Sequence, residues 1–113
     1  MIIVESAGIS DVGRKRERNE DSLFYDDKMG LYVVADGMGG HLAGEVASRL
    51  VVETMRDYIR QLREDERCDD SSYIDDSISK EANRLLSSIR LSNQVVHEAS
   101  LQDESQRGMG STV

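Results

Sequence analysis

The 113-residue sequence predicts an α+β fold in which two long helices pack on a small sheet. Three observations predict it. Short β-rich segments lie at residues 2–9, 22–25 and 31–35. Apolar residues then recur with helical period over residues 44–62 and again over 72–101. The chain ends in a glycine-rich turn followed by Ser-Thr-Val, which is typical of the start of a further strand.

The strands are bounded by turn residues. Ile2–Ile9 leads into an Asp-Val-Gly turn, and the strands Ser22–Tyr25 and Leu31–Ala35 flank a short loop that contains Gly30. Two strands joined in this way predict an antiparallel hairpin. Because Leu31–Ala35 is an unbroken apolar run, we expect it to be buried on both faces.

The helices are predicted from apolar residues at three- and four-residue steps. The first helix begins at about Gly44 and ends near Leu62. The second is expected to begin at Ser72, where Ser72-x-x-Asp75 resembles a capping box, and to run to about Leu101. Three short strands cannot cover two such helices, so we expect more sheet, either beyond Val113 or from another chain.

Composition excludes several classes of protein. A formal net charge of −8 argues against nucleic acid or an anionic membrane as the main partner. The single cysteine, Cys68, rules out an internal disulfide. The N-terminus lacks the pattern of a signal peptide, and no apolar stretch is long enough to cross a bilayer. We therefore expect a cytoplasmic protein.

The run Val33–His41 carries the strongest chemical signal, because an apolar strand breaks into Asp36 within a glycine cluster. An ionised carboxylate at the end of a buried strand needs a positive partner. Mg²⁺ or Mn²⁺ would supply one, and the carbonyl of Gly37 could bind the same ion because no side chain obstructs it. The alternative is an ordinary Asp-Gly turn.

A second charged group lies about fifteen residues upstream. Glu20 and Asp21 are adjacent, so in an extended chain only one of them points toward a given metal, while the other could bind the metal's water. Among the nearby cations, one arginine could clamp a phosphate through its paired N–H groups. A solvated turn and a surface charge cluster are the alternatives for these residues.

Three motifs taken together resemble a known family. They are Asp11–Asp21 (DVGRKRERNED), Val33–Glu45 (VVADGMGGHLAGE) and Gly108–Val113 (GMGSTV). In order and spacing they closely resemble the bacterial branch of the type 2C metal-dependent protein phosphatases, the PPM family. The resemblance covers nearly the whole chain, which makes it far more specific than a lone glycine-rich loop.

The resemblance implies an antiparallel β-sandwich flanked by helices in αββα layers, with a site for two Mg²⁺ or Mn²⁺ ions. It implies hydrolysis of phosphoserine and phosphothreonine esters in proteins by metal-activated water, in opposition to a Ser/Thr kinase. By motif position Asp36 would bridge the two ions. Glu20 and the carbonyl of Gly37 would bind one of them, Asp21 would hold metal-bound water, and Arg16 would bind the phosphate.

The chain departs from the family pattern in two respects. Met38 stands where animal members have a histidine, as is usual in the bacterial branch, so the proton donor is unassigned. The family's domain is also about twice as long. We therefore expect residues 1–113 to be the N-terminal part of one phosphatase domain, truncated to its first strands and one helix pair, and inactive or very weak alone. The alternative is a non-catalytic module that binds a phosphoprotein or partner. The sequence leaves the oligomeric state open.

Overall fold

A computed structural model describes residues 21–39, 42–64 and 77–113. Their elements are β1 (Asp21–Asp26), β2 (Leu31–Met38), α1 (Ala43–Glu64), α2 (Lys80–Gln102), a short 3₁₀ turn (Glu104–Gln106) and β3 (Gly110–Ser111). The α+β order predicted from the sequence is confirmed. The strand expected at Ile2–Ile9 lies outside the described residues.

The three described strands form one antiparallel sheet in the order β1-β2-β3. The predicted hairpin is confirmed, since β1 pairs with β2 from Asp26↔Leu31 to Asp21↔Asp36. Its turn is closed by the Asp26 carboxylate, which accepts hydrogen bonds from the amides of Lys28 at 2.8 Å and Met29 at 3.1 Å. Gly30 completes the turn at φ +66°, a conformation that glycine adopts without strain.

The two faces of β2 differ sharply. Leu31, Val33 and Ala35 are buried beneath α1, whereas Tyr32 and Val34 on the other face are 48% and 69% exposed. The expectation that this strand is buried on both faces was therefore wrong for the described part of the chain. Successive side chains of a strand point to opposite faces, and the described helices lie on only one of them.

The helical layer has its core along α1. Ala47, Val51 and Met55 face the sheet and α2, and they join Leu31 and Val33 in one apolar cluster. No helix among the described residues is long and apolar enough to cross a membrane.

The second helix begins later than expected. It begins at Lys80, with Ser79 as its N-cap, and the Ser79 hydroxyl accepts a hydrogen bond from the amide of Ala82 at 3.1 Å. The predicted start at Ser72 lies outside the described residues, and residues 77–79 are not helical. Ser79 therefore caps the described helix.

The buried side of α2 is lined mainly by serine. Ser88, Ser92 and Ser100 are buried together with Val96. Leu85 is one of the apolar residues that recur with helical period over residues 72–101, yet it is 41% exposed. The Ser92 hydroxyl donates to the carbonyl of Ser88 at 2.8 Å within the helix, so its polarity is satisfied there. The Ser92 hydroxyl also lies 3.4 Å from the Val51 carbonyl of α1, whereas larger apolar residues of α2 are exposed.

Candidate metal centre

The paired strands bring two candidate ligands together. Asp21 and Asp36 are direct partners in the β1–β2 register. Directly opposite residues of an antiparallel pair project from the same face of the sheet. The face shared by Asp21 and Asp36 also carries Tyr32 and Val34, and it is the face that no described helix covers. We call it the open face.

The kind of pairing fixes how close these residues are. The carbonyl of Asp36 accepts a hydrogen bond from the amide of Thr112 at 2.9 Å, so the backbone polar groups of Asp36 point toward β3. On the β1 side, Asp21↔Asp36 is therefore a non-hydrogen-bonded pair, the type in which Cα atoms lie about 4.5 Å apart and side chains are closest. Two carboxylates that leave the backbone this close together can both reach one cation.

The carbonyl of Gly37 is turned toward the same edge. Carbonyls of successive strand residues point to opposite sides, and that of Asp36 points to β3. The carbonyl of Gly37 therefore points to the β1 side, where Asp21 lies. Two carboxylates and a carbonyl oxygen are the hard donors that Mg²⁺ and Mn²⁺ prefer, so these residues fit a divalent cation.

A close contact fixes the glycine loop that follows. Gly39 has φ +138°, and a Cβ atom there would lie 2.9 Å from the Cα of Met109 and 3.2 Å from the Cβ of Ala43. Such a distance to backbone is shorter than real Cβ contacts, so this position requires glycine. The loop after β2 thus packs directly against the segment before β3 and the start of α1.

The other predicted site residues, Arg16 and Glu20, lie outside the described residues. Across residues 21–39, 42–64 and 77–113, no three histidine, cysteine or acidic side chains are grouped so that they could hold a metal. The described part therefore contains Asp21, Asp36 and Gly37 of the predicted set.

Sequence reasoning missed two groups of contacts around these residues. Ser111 and Thr112 approach the backbone carbonyl of Asp36 with their hydroxyls, at 3.2 Å and 3.4 Å. Ser22, beside Asp21, is joined to Ser48 of α1 by a hydroxyl–hydroxyl bond of 2.9 Å, which ties β1 to the helix layer. Serine and threonine after a glycine turn indicated a strand, but nothing in the sequence indicated which carbonyl they face.

The far end of the open face has its own polar contact. The hydroxyl of Tyr32 donates to the carboxylate of Asp27 at 2.8 Å. This hydrogen bond is the main reason that the pKa of Tyr32 is raised above its ordinary value of 10.0, and the negative charges of Asp27 and Asp26 act in the same direction.

Asp21, Asp36 and Gly37 lie together at one edge of the sheet, and comparison with known proteins identifies the family to which the chain belongs. The family model for protein phosphatase 2C matches residues 12–113. Protein phosphatase PhpP of Streptococcus pneumoniae is 30% identical over 97% of this chain and 41% of its own length. A putative 2C-type protein phosphatase of Streptococcus pyogenes is 35% identical over 92% of the chain and 39% of its own length.

A solved structure agrees with the sequence matches. The serine/threonine phosphatase PstP/Ppp of Mycobacterium tuberculosis superposes with a TM-score of 0.71 at 32% identity, and the match covers 98% of this chain and 40% of that one. The chain belongs to the protein phosphatase 2C family. It spans about two-fifths of the length of the relatives it matches. The resemblance inferred from the motifs is confirmed, as is the fold class, of which the described residues form one sheet and a helix pair.

Proposed function

We propose that residues 1–113 form the N-terminal part of a phosphatase domain that hydrolyses phosphoserine and phosphothreonine esters in proteins in the presence of Mg²⁺ or Mn²⁺. The observation that carries the proposal is the direct pairing of Asp21 with Asp36 on the open face, beside the Gly37 carbonyl. Membership of the family supports the reaction class, since relatives bear the names of protein phosphatases and of serine/threonine phosphatases.

Each residue has a distinct role in this proposal. Asp36, Glu20 and the carbonyl of Gly37 would hold the divalent cations. Asp21 accepts hydrogen bonds from water in the site, and Arg16 binds two phosphate oxygens through its guanidinium group. Ions bound there would supply a water of lowered pKa and would neutralise the charge that develops on the phosphoryl oxygens.

We also propose that the chain alone turns phosphoesters over very slowly or not at all. Its carboxylate pair lies at the end of an apolar face on which Val34 is largely exposed, so the site has water on the side where a second layer would exclude it. Its length, two-fifths of its relatives, supports the same conclusion. The substrate would be a phosphorylated cytoplasmic protein, the target of an opposing Ser/Thr kinase.

The test compares the chain alone with a fusion in which it replaces the matching two-fifths of PhpP. Hydrolysis of p-nitrophenyl phosphate and of a phosphothreonine peptide is measured with Mn²⁺ and with EDTA. We expect Mn²⁺-dependent turnover by the fusion, its loss in Asp36→Asn, and no change in Asp57→Asn, which removes an exposed carboxylate on α1. Circular dichroism confirms that each variant is folded. Full-rate hydrolysis in EDTA, or an active Asp36→Asn fusion, would contradict the proposal.

A second candidate function is a non-catalytic module that binds a phosphoprotein or a partner chain. The exposed Tyr25, Tyr32 and Val34 on the open face favour it, because an uncovered apolar face is a ready contact surface. The same fusion separates the two functions. A binding module gives phosphopeptide affinity without Mn²⁺-dependent turnover, whereas the phosphatase gives both.

A further inference from the structure

Three donors from one short segment converge on the backbone carbonyl of Asp36. The amide of Thr112 lies 2.9 Å from this oxygen, the hydroxyl of Ser111 3.2 Å and the hydroxyl of Thr112 3.4 Å. The Ser111 hydroxyl also lies 2.8 Å from the carbonyl of Thr112, so its single proton is divided between two acceptors. A carbonyl oxygen has two lone pairs, and here the amide takes one while the hydroxyls share the other.

This segment is itself held firmly in place. Met109 is buried in the apolar cluster beneath the sheet, and its amide donates to the carbonyl of Gln106 at 3.1 Å. Gly110 pairs with Met38, and Gly39 approaches the Met109 backbone too closely to admit a side chain. The segment 109–112 therefore cannot slide along β2 without breaking core contacts.

The hydrogen bonds to the Asp36 carbonyl restrain the backbone directly before Gly37. The carbonyl of Asp36 belongs to the peptide group that joins Asp36 to Gly37, so fixing it fixes the direction in which the chain enters Gly37. Glycine has little conformational preference of its own. Without an external restraint, the Gly37 carbonyl would lose its direction toward the β1 edge, and the Asp36 carboxylate would lose its fixed relation to that carbonyl.

We infer that β3 and Thr112 position the Asp36–Gly37 peptide for cation binding. Ser111 and Thr112 are the positioning residues, and they act through their hydroxyl groups. The inference rests on the proposed function, because it concerns the same cation site. It goes further because it assigns a role to the third motif, Gly108–Val113: this segment holds the Asp36 carbonyl in place and does not bind the cation itself. The hydroxyls act through the backbone of Asp36 and contribute no ligand in this inference.

The test measures Mn²⁺ affinity of the 113-residue chain by titration calorimetry. Ser111→Ala combined with Thr112→Val removes both hydroxyls and keeps the shape of the strand. We expect the dissociation constant to rise about three- to tenfold. This is at or below the low end of the roughly 10- to 100-fold that partners of metal ligands contribute, because these hydroxyl bonds are long. The single variant Thr112→Ser keeps both hydroxyls and should retain most of the Mn²⁺ affinity of the parent. Ser88→Ala, which removes a hydroxyl that donates to the Leu85 carbonyl in α2, should leave the affinity unchanged.

A second measurement needs no metal. In EDTA, the carbonyl carbon chemical shift of Asp36 and the hydrogen-exchange protection of the Thr112 amide should both change in the double variant and remain as in the parent for Ser88→Ala. Unchanged values in the double variant overturn the inference, as does equal Mn²⁺ affinity of parent and double variant. A parent that is folded but binds no Mn²⁺ contradicts the proposed function instead, and the metal-free measurement still decides whether the hydroxyls hold the Asp36 carbonyl.

Discussion

Asp21 and Asp36 lie directly opposite each other at the last described pair of the β1–β2 ladder, on the face of the sheet that no described helix covers. The position has two consequences. They form the kind of antiparallel pair with the shorter Cα spacing, so their side chains leave the backbone close together. They also share a face with exposed apolar side chains, so whatever covers that face also shields the site from water.

The two carboxylates are expected to contribute unequally to cation affinity. Because Asp21 is proposed to act through water, Asp21→Asn should weaken Mn²⁺ binding by about one order of magnitude without abolishing it. Thermal unfolding with and without Mn²⁺ provides the measurement, since a ligand at a hundredfold excess over its dissociation constant stabilises a protein by about 2.7 kcal/mol. Complete loss of the Mn²⁺ shift in Asp21→Asn would mean that Asp21 binds the cation directly.

Gly39 is expected to be irreplaceable for the fold. Gly39→Ala combines a φ of +138° with a Cβ only 2.9 Å from the Met109 backbone, so it should lower the free energy of unfolding by about 2–3 kcal/mol. Gly30→Ala is the matched control, with φ +66° and nothing within 4 Å of the added atom. It should cost only the intrinsic strain of about 1–2 kcal/mol. Urea denaturation measures both, and equal losses would show that the contact with Met109 is unimportant.

Met55 is the largest of the fully enclosed side chains, at 2% exposure on the α1 face that meets the sheet. Met55→Ala should lower the free energy of unfolding by about 2–5 kcal/mol, through lost burial and the cavity left behind. Leu101→Ala removes a side chain that is 66% exposed and should change it by less than about 0.5 kcal/mol. The two variants are compared by chemical denaturation. A similar, small effect of both would contradict the packing of α1 on β2.

The hydrogen bond between Tyr32 and Asp27 predicts a pH effect. The phenol donates to the carboxylate, which raises the pKa of Tyr32 in the folded chain above its unfolded value of 10.0. The stabilisation is therefore fully present below pH 10 and is lost as the pH rises through the raised pKa. Ultraviolet titration of tyrosinate should show this group ionising at lower pH in Asp27→Ala. An unchanged titration curve would mean that the hydrogen bond does not form in solution.

Much of the fold could be predicted because the local signals were strong. The Gly30 turn between two β-rich runs specified the hairpin, and apolar periodicity specified α1 nearly to its ends. The interior of α2 could not be predicted in the same way. Counting apolar residues selects Leu85, but the structure buries the small Ser88 and Ser92, and the Ser92 hydroxyl lies 3.4 Å from the Val51 carbonyl of α1.

For the candidate site, the sequence predicted which residues could bind a cation but not how the strands align them. The break of an apolar strand into a carboxylate among glycines predicted Asp36 and Gly37 as ligands. It did not predict the register that places Asp21 opposite Asp36, because register depends on how the hairpin closes. An apolar composition likewise cannot distinguish a strand covered on both sides from one covered on a single side. That distinction depends on what packs against Tyr32 and Val34, and no described residue does so extensively.

The most direct test of the account is a calorimetric titration of the 113-residue chain with Mn²⁺, repeated on Asp36→Asn. Asp57→Asn, on the exposed side of α1, controls for the loss of one negative charge. The account predicts saturable Mn²⁺ binding by the parent and by Asp57→Asn, and its loss in an Asp36→Asn chain that keeps its circular dichroism spectrum. A folded parent that binds no Mn²⁺, or an Asp36→Asn chain that binds it as tightly as the parent, would contradict the assignment of a cation site to Asp36.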